Sequence, residues 1–251
     1  MTVQTLDRSI ELLRLLAEAG VDGCRLTDLQ RQTGLSKPTI HRLLQTLKDH
    51  SLATQISGTR RYSLGPEIAI LGWLSTRHLT RLQDNCEEDM ETLAQATGST
   101  TFLVVPLGSE TICIDRHSAS SNDVNFTIDV GVRCPLGIGA TGIALLASMA
   151  PPVADQVFGK RYGELSHYPA SLNDIRAAVS DARRTGYAFS DGTVLRGVRG
   201  LAMSVRDTDG KVVASVGVAS SSERITGKRI PELLQSLRSH VRKIEKRLER
   251  C

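Results

Sequence analysis

Residues 33–47 have the sequence TGLSKPTIHRLLQTL, which predicts a short helix with one apolar and one polar face. Ser36 is a suitable N-cap, and Pro38 falls in the first turn, where its missing N–H costs no hydrogen bond. Four apolar side chains then recur at helical spacing: Ile40, Leu43, Leu44 and Leu47. The opposite face carries side chains that reach phosphates and base edges in DNA, namely Lys37, Thr39, His41, Arg42 and Gln45.

Two further helices are predicted before this stretch. The apolar spacing of residues 8–19 indicates an amphipathic helix that ends at Gly20 and Gly23. Thr27 and Gln30 have the spacing of a capping box, which predicts a second helix that opens at Thr27 and stops at Gly34. Helices of these lengths joined by a glycine turn are typical of a helix-turn-helix, whose last helix enters the major groove of DNA.

A hairpin is predicted directly after the third helix. Residues 52–56 and 61–64 form two short strands around Ser57-Gly58-Thr59-Arg60, so the tip of the hairpin is basic. A basic hairpin at this position is a wing; the alternative is a three-helix cap whose exposed helix is merely solvated. The expected DNA-contacting residues are Thr27, Ser36, Lys37, Thr39, His41, Arg42, Gln45, Arg60 and Arg61.

The rest of the chain predicts an α+β domain with an antiparallel sheet. Strands are expected at residues 100–106 and 110–117, at the alternating Val124, Phe126 and Ile128, and at residues 187–190, 201–206 and 212–219. Helices are expected at residues 140–149, at 171–185 with Ser171 as N-cap, and from Ile230 onward. A helical connector from Pro66 places the domain boundary near Arg77–His78, giving domains 1–78 and 79–251.

Composition limits the function classes. No run of about 18 apolar residues is present, and charges interrupt the first twenty residues, so we expect no membrane span, no signal peptide and a cytoplasmic protein. The five cysteines are scattered and the six histidines form no helical pair, which predicts neither disulfides nor a metal site. Residues 1–78 have a net charge of +3, which is most of the +4 of the whole chain, and phosphate contacts are expected there.

Three other functions, namely dinucleotide binding, catalysis and a second nucleic-acid contact, are not supported by the sequence. Residues 137–142 match G-x-G-x-x-G, but Pro135 precedes them in place of an apolar strand, so we expect no dinucleotide cofactor. Signatures of nucleophilic catalysis are absent, which predicts that the protein is not an enzyme. The basic outer face of the last helix is interpreted as a solvated surface. The alternative to a DNA-binding function is a small-molecule-binding enzyme or sensor that carries an unrelated helical cap.

A family resemblance follows from these motifs. Residues 26–29 (LTDL), 33–44 (TGLSKPTIHRLL) and 61–65 (RYSLG) resemble the winged helix-turn-helix of the IclR (isocitrate lyase regulator) family of bacterial transcription factors. Residues 98–218 resemble the effector domain of that family. The resemblance implies a GAF-like sensor domain and a homodimer or homotetramer on an inverted-repeat operator in double-stranded DNA. It also implies a small organic acid as effector and RNA polymerase as a candidate partner.

The resemblance also predicts an effector pocket. Its expected residues are Phe126, Gly139, Ala140, Thr141, Asp191, Gly200, Leu201, Gly217, Ala219 and Ser220. Ile143, Gly200, Gly217 and Ala219 stand where the family commonly has polar side chains, so we expect an aromatic or medium-chain carboxylate. Its carboxylate is expected at the amides of residues 139–141, and its apolar body against Phe126 and Leu201. The alternative is tight helix–sheet packing that needs small residues.

Overall fold

The computed structural model describes residues 3–75, 77–119, 128–160 and 167–249. The chain divides into two compact units, residues 1–78 and residues 79–251. The helices of the first unit are α1 (Gln4–Glu18), α2 (Leu26–Thr33), α3 (Lys37–Asp49) and α4 (Pro66–Ser75). Its strands are β1 (Cys24–Arg25), β2 (Ala53–Gln55) and β3 (Arg61–Leu64), paired antiparallel in the order β1-β3-β2.

The three-helix core of the first unit follows from the apolar stripes of the sequence. Leu12 and Leu16 of α1, Leu29 of α2, and Ile40 and Leu44 of α3 are fully or almost fully buried together. Because these side chains occupy one face of each helix, the opposite face of α3 is left to solvent. The predicted helix-turn-helix and its wing hairpin are therefore present.

Helix ends in this unit confirm one predicted cap and correct another. Ser36 is the N-cap of α3, and its hydroxyl accepts the N–H of Thr39 at 3.4 Å. The prediction that Thr27 opens α2 is wrong, since the N-cap is Arg25 and Thr27 lies in the first turn. The N–H of Arg25 donates to the carboxylate of Asp28 at 3.4 Å, so Asp28 takes the role expected of Gln30.

The second unit is an antiparallel sheet covered by helices, which confirms the α+β prediction. Its strands are β4 (Thr100–Leu107), β5 (Glu110–His117), β6 (Arg133–Pro135), β7 (Ala188–Asp191), β8 (Val198–Arg206) and β9 (Val212–Ser221). They lie in the order β6-β5-β4-β9-β8-β7. The helices are α5 (Arg77–Thr97), α6 (Gly139–Ala147), α7 (Pro151–Lys160), α8 (Leu172–Thr185) and α9 (Ile230–Leu248).

Each face of this sheet buries its own apolar cluster. The α6–α8 cluster joins Phe102 and Ala202 of the sheet to Ile143 of α6 and Ile175 of α8. The α5–α9 cluster on the other face includes Leu103, Leu201, Val216, Met90 and Leu237. Alternate residues of a strand point to opposite faces, so a side chain's position in the strand decides which cluster it joins.

The helix α7, the strands β1 and β6 and a 3₁₀ turn at Gly20–Asp22 were not predicted, and one prediction cannot be compared. β1, β6 and α7 are shorter or less periodic than the elements that the sequence pattern identified. The strand expected at Val124, Phe126 and Ile128 lies mostly outside the described residues, and Ile128 itself belongs to no strand. Beside β5, the edge of the sheet is formed by β6.

Other features of the described residues concern membranes, metals and thiols. None of their helices combines the length and apolar character of a membrane span. None of their His, Cys, Asp and Glu side chains form a group of three or more that could hold a metal ion.

Cys24, Cys86, Cys113 and Cys134 are buried free thiols. Burial is the main reason why the pKa values of Cys86 and Cys113 are raised to about 12.

Candidate functional sites

The outer face of α3 presents most of the polar side chains that the sequence placed there. Lys37, His41, Arg42 and Gln45 are exposed. The amide of Gln45 donates to Asp49 at 2.8 Å, one turn further along the helix. Ser36 and Thr39 bond to each other through their hydroxyls at 2.9 Å, so these two residues also serve the start of the helix.

The wing places its two arginines differently. Arg60 lies exposed at the tip of the β2–β3 hairpin. Arg61 is half-buried, and its guanidinium donates to the carbonyl oxygens of Gly23 at 2.9 Å and Asp22 at 3.5 Å. Arg61 therefore holds the segment between α1 and α2 against β3, and its expected role as a DNA contact stays a prediction.

A groove runs between the wing and the start of α2. It is lined by Arg25, Leu26, Thr27 and residues 58–61. The groove brings together Thr27 and Arg60, both of which were expected to contact DNA. It also contains Arg25, which no sequence pattern indicated. The first amides of a helix and nearby arginines are both suited to a phosphate group.

A small cavity lies in the second unit between the start of α6 and the sheet. It has a volume of about 50 Å³ and includes seven of the ten residues predicted for the effector pocket. Those seven are Gly139, Ala140, Thr141, Gly200, Leu201, Gly217 and Ala219. Phe126 lies outside the described residues. Phe102, Ile128, Ser190 and Val194 also line the cavity and were not predicted.

Polar contacts at the start of α6 are already partly formed. The N–H of Gly139 donates to the hydroxyl of Thr193 at 3.2 Å. That hydroxyl is also hydrogen-bonded to Ser190, a buried residue of β7. One of the amides expected to hold a carboxylate therefore already has an acceptor within the protein, and Ser190 adds a hydroxyl to the cavity lining.

Strand register moves Asp191 and Ser220 away from the cavity. Ser190 pairs with Gly200, and Asp191 pairs with Arg199. Asp191 consequently points to the opposite face of the sheet, where its carboxylate binds the guanidinium of Arg199 at 2.9 Å. Ser220 shares the face of Val216 and Val218 for the same reason. Both were expected in the pocket, and neither lines it.

Leu201 and Ile143 also differ from what the sequence implied. The side chain of Leu201 is fully buried in the α5–α9 cluster, so Leu201 borders the cavity through its backbone. Phe102 supplies the aromatic wall instead. Ile143 is fully buried in the α6–α8 cluster and does not line the cavity, so the loss of a polar side chain at this position does not enlarge the cavity.

The two cavity glycines differ in how closely they are packed. A Cβ at Gly217 would lie 2.7 Å from Cγ2 of Thr141, so this glycine allows α6 to approach the sheet. A Cβ at Gly200 would meet its nearest atom, Cβ of Ala140, at 3.3 Å. The packing explanation therefore applies most strongly to Gly217, whereas an added methyl group at Gly200 would be crowded less.

Comparison with known proteins agrees with both units. The family model of the bacterial transcriptional regulator IclR C-terminal domain matches residues 75–246, and that of the IclR helix-turn-helix domain matches residues 5–57. The HTH-type transcriptional regulator XynR of Escherichia coli is 25% identical over 89% of this chain and 88% of its own. The glycerol operon regulatory protein of Streptomyces coelicolor is 26% identical over 98% and 96%.

Solved structures share the same fold. A putative IclR regulator from Silicibacter has a TM-score of 0.78 at 25% identity, covering 97% of this chain and 96% of its own. An IclR homolog from Microbacterium hydrocarbonoxydans, complexed with 4-hydroxybenzoate, has a TM-score of 0.77 at 23% identity over 97% and 98%.

The helix-turn-helix with its wing, joined in one chain to an α+β domain, defines a DNA-binding transcriptional regulator. Because the two family models together span most of the sequence, the chain belongs to the IclR family of bacterial transcriptional regulators.

Proposed function

We propose that residues 1–78 bind an inverted-repeat operator and that residues 79–251 bind a small organic acid that controls this binding. The observation that carries the proposal is the exposed row of donors on α3, next to a basic groove that ends at Arg60. Such side chains serve two purposes in DNA recognition, since those at base edges specify sequence and those at phosphates position the protein. The protein would act in the cytoplasm, where the operator is accessible.

The effector class is supported by the lining of the cavity. Its walls are mainly apolar, with Phe102 and Ile128 on one side and the hydroxyls of Thr141 and Ser190 on the other. This lining suits an acid with an aromatic or aliphatic body. The Microbacterium relative, which was solved with 4-hydroxybenzoate, supports the aromatic alternative.

The size of the cavity supports a regulatory role for the acid. A cavity of about 150 Å³ accommodates benzene, whereas this one has about 50 Å³. An aromatic acid therefore binds only when the walls separate. An acid with different affinities for the closed and the widened state shifts the protein between them, which is the requirement for control of DNA affinity.

The homodimer in this proposal is supported by apolar side chains exposed on the first unit. Leu6 and Ile10 of α1, and Ile70, Leu71 and Leu74 of α4, are all more than one third exposed. Apolar surface of this extent on a small domain marks an interaction site. A second copy of the chain is the proposed occupant, because twofold symmetry matches an inverted repeat.

A gel-shift titration on the DNA upstream of the protein's own gene tests the function. We expect a retarded complex that Arg42→Ala and Arg60→Ala each weaken, with Arg184→Ala as control because Arg184 is an exposed residue of α8 in the other unit. Addition of 4-hydroxybenzoate or octanoate should change the midpoint of the titration, and pyruvate should change it less. Equal binding by wild type and both DNA-face variants would contradict the DNA-binding surface.

A further inference from the structure

Arg116 lies on the face of the sheet that borders the cavity. It is the cross-strand partner of Phe102, which lines the cavity. Directly opposed residues of neighbouring antiparallel strands point to the same face. Phe102 in turn pairs with Gly217, on which Thr141 of α6 rests. One row of residues thus leads from the start of α6 across the sheet to Arg116.

Arg116 does not line the closed cavity, and the row places it beyond Phe102, on the side away from α6. Neighbouring strands are about 4.8 Å apart, so two strand spacings separate the backbones of Gly217 and Arg116 by about 10 Å. An arginine side chain spans more than half of that distance. The row therefore has hydroxyl and amide groups at one end, Phe102 in the middle and a cation at the other end.

Among the described residues, the guanidinium of Arg116 has only part of its hydrogen bonds satisfied. Its side chain is 22% exposed, and Nη1 donates to Oδ1 of Asp129 at 2.9 Å. Nε is buried and has no hydrogen-bond acceptor among the residues that the structure describes. Asp129 is 78% exposed, so its carboxylate can return to water at little cost.

Arg199, the arginine that borders the cavity, makes different contacts. Its guanidinium binds Asp191 and donates to the carbonyl oxygens of Ser222 at 3.4 Å and Ile225 at 3.1 Å. It also points to the opposite face of β8, as its pairing with Asp191 requires. Arg116 is therefore the better placed of the two cations to meet an acid in the cavity.

We propose that Arg116 binds the carboxylate of the effector and that Asp129 occupies the guanidinium until the acid replaces it. This inference rests on the proposed function, in which the cavity holds an organic acid. Arginine binds a carboxylate through two parallel hydrogen bonds, and Nε, which has no acceptor among the described residues, can supply one of them, whereas Asp129 makes a single contact at Nη1. The carboxylate then lies at β5 and not at the amides of α6.

The same arrangement specifies the other end of the ligand. The hydroxyls of Ser190 and Thr193 beside Gly139 accept or donate a hydrogen bond to an uncharged polar group. The body between the two ends contacts Phe102 and Ile128. The class of ligand is a monocarboxylic acid with an apolar middle and a distal hydroxyl, as in 4-hydroxybenzoate, and not a two- or three-carbon acid.

Calorimetry on the full chain tests the charge pairing with 4-hydroxybenzoate and its uncharged analogue 4-hydroxybenzamide. Arg116→Gln should weaken binding of the acid by about tenfold or more and change binding of the amide by less than about twofold, because only the acid loses a charge-assisted pair. Arg116→Lys should retain part of the preference for the acid. Asp129→Asn should bind the acid about threefold more tightly, because the competing carboxylate is gone. Arg184→Gln, which breaks the exposed pair with Asp181, is the matched control.

The outcomes separate this inference from the proposed function. If Arg116→Gln loses affinity for the acid and the amide equally, or binds the acid as tightly as wild type, the role of Arg116 is overturned. The proposed function, an acid-responsive regulator, would then still stand. If Arg116→Gln does not fold, Asp129→Asn decides, and unchanged or weaker acid binding overturns the inference. A wild-type protein that binds no aromatic or medium-chain monocarboxylate would overturn both.

Discussion

Neighbouring arginines in the wing have different roles because one of them bonds to the backbone. Arg61 and Arg60 are consecutive, yet Arg61 bridges 38 residues of sequence to reach the carbonyl of Gly23. Arg60, like Arg42 on α3, is exposed at the surface proposed to bind DNA. The residue type alone therefore says little about function at this scale, and the hydrogen-bond partners decide it.

Substitution of these arginines should separate stability from DNA binding. Arg61→Ala should lower the free energy of unfolding by about 1–2 kcal/mol, because the two carbonyls lose their donor. Arg42→Ala should leave the free energy of unfolding unchanged within about 0.5 kcal/mol and weaken operator binding. Urea denaturation and gel shift on the same samples measure both effects. A fully stable Arg61→Ala protein would contradict the structural role of Arg61.

The two cavity glycines should respond differently to an added methyl group. Gly217→Ala forces Thr141 and α6 away from the sheet, since its Cβ would lie 2.7 Å from Cγ2 of Thr141. We expect a cost of about 1–3 kcal/mol, measured by thermal or urea denaturation. Gly200→Ala, with its nearest contact at 3.3 Å, should cost less and chiefly weaken effector binding. The reverse order of stabilities would refute this description of the packing.

Buried thiols should be unreactive in the native protein. Burial raises the pKa values of Cys86 and Cys113 to about 12, so both stay protonated at pH 8. In a Cys251→Ser variant, Ellman's reagent should label these thiols only on unfolding. Because the unfolded thiols ionise near pH 9, the unfolded state loses protons first and stability should fall as the pH rises above 9. Rapid labelling without urea at pH 8 would contradict their burial.

At the scale of elements, α4 differs from the other helices of the first unit. Its sequence PEIAILGWLS is apolar on all sides, and Leu71 and Leu74 are 50% and 59% exposed. By contrast, α3 concentrates its apolar side chains on one face, where all four are buried. An exposed helix without a polar face needs a further surface to cover it, and a second copy of the chain is our proposal.

Charges on α4 should weaken self-association. The double variant Leu71→Glu/Leu74→Glu places two carboxylates in the proposed dimer contact, so we expect a shift toward monomer in analytical ultracentrifugation. Glu67→Gln, on the same helix, is the control because it adds no charge. A double variant that sediments like wild type would exclude α4 from the interface.

For the whole molecule, the proposed dimer determines the form of the operator. One recognition helix reads only a few base pairs, so two half-sites about one helical turn apart, or a multiple of it, are needed for specificity. Footprinting should reveal an inverted repeat, and duplication of one half-site as a direct repeat should weaken binding strongly. Full affinity of a monomer for a single half-site would refute the twofold arrangement.

Much of the fold follows from short-range interactions in the sequence. The cap at Ser36 and the stripe of α3 involve residues three or four apart, and they predict the helix to within one residue of its start. The same holds for α8, which Ser171 caps and Gly186 ends as expected. The antiparallel sheet follows from the hairpin signals, whereas the two- and three-residue strands β1 and β6 are too short to produce a periodic pattern.

The tertiary structure alone decides which polar side chains reach the cavity. Sequence indicated Asp191, but the pairing of β7 with β8 turns Ser190 inward. A register shift between Leu103 and Val104 decides which side chains of β5 point to which face of the sheet. It places Arg116 on the same face as Phe102, which borders the cavity. A displacement of one residue moves every side chain of a strand to the other face, and register depends on partners far away in sequence. The sequence by itself therefore determines the family and most of the helices and strands, while the faces of the strands, and with them the site, depend on pairing in three dimensions.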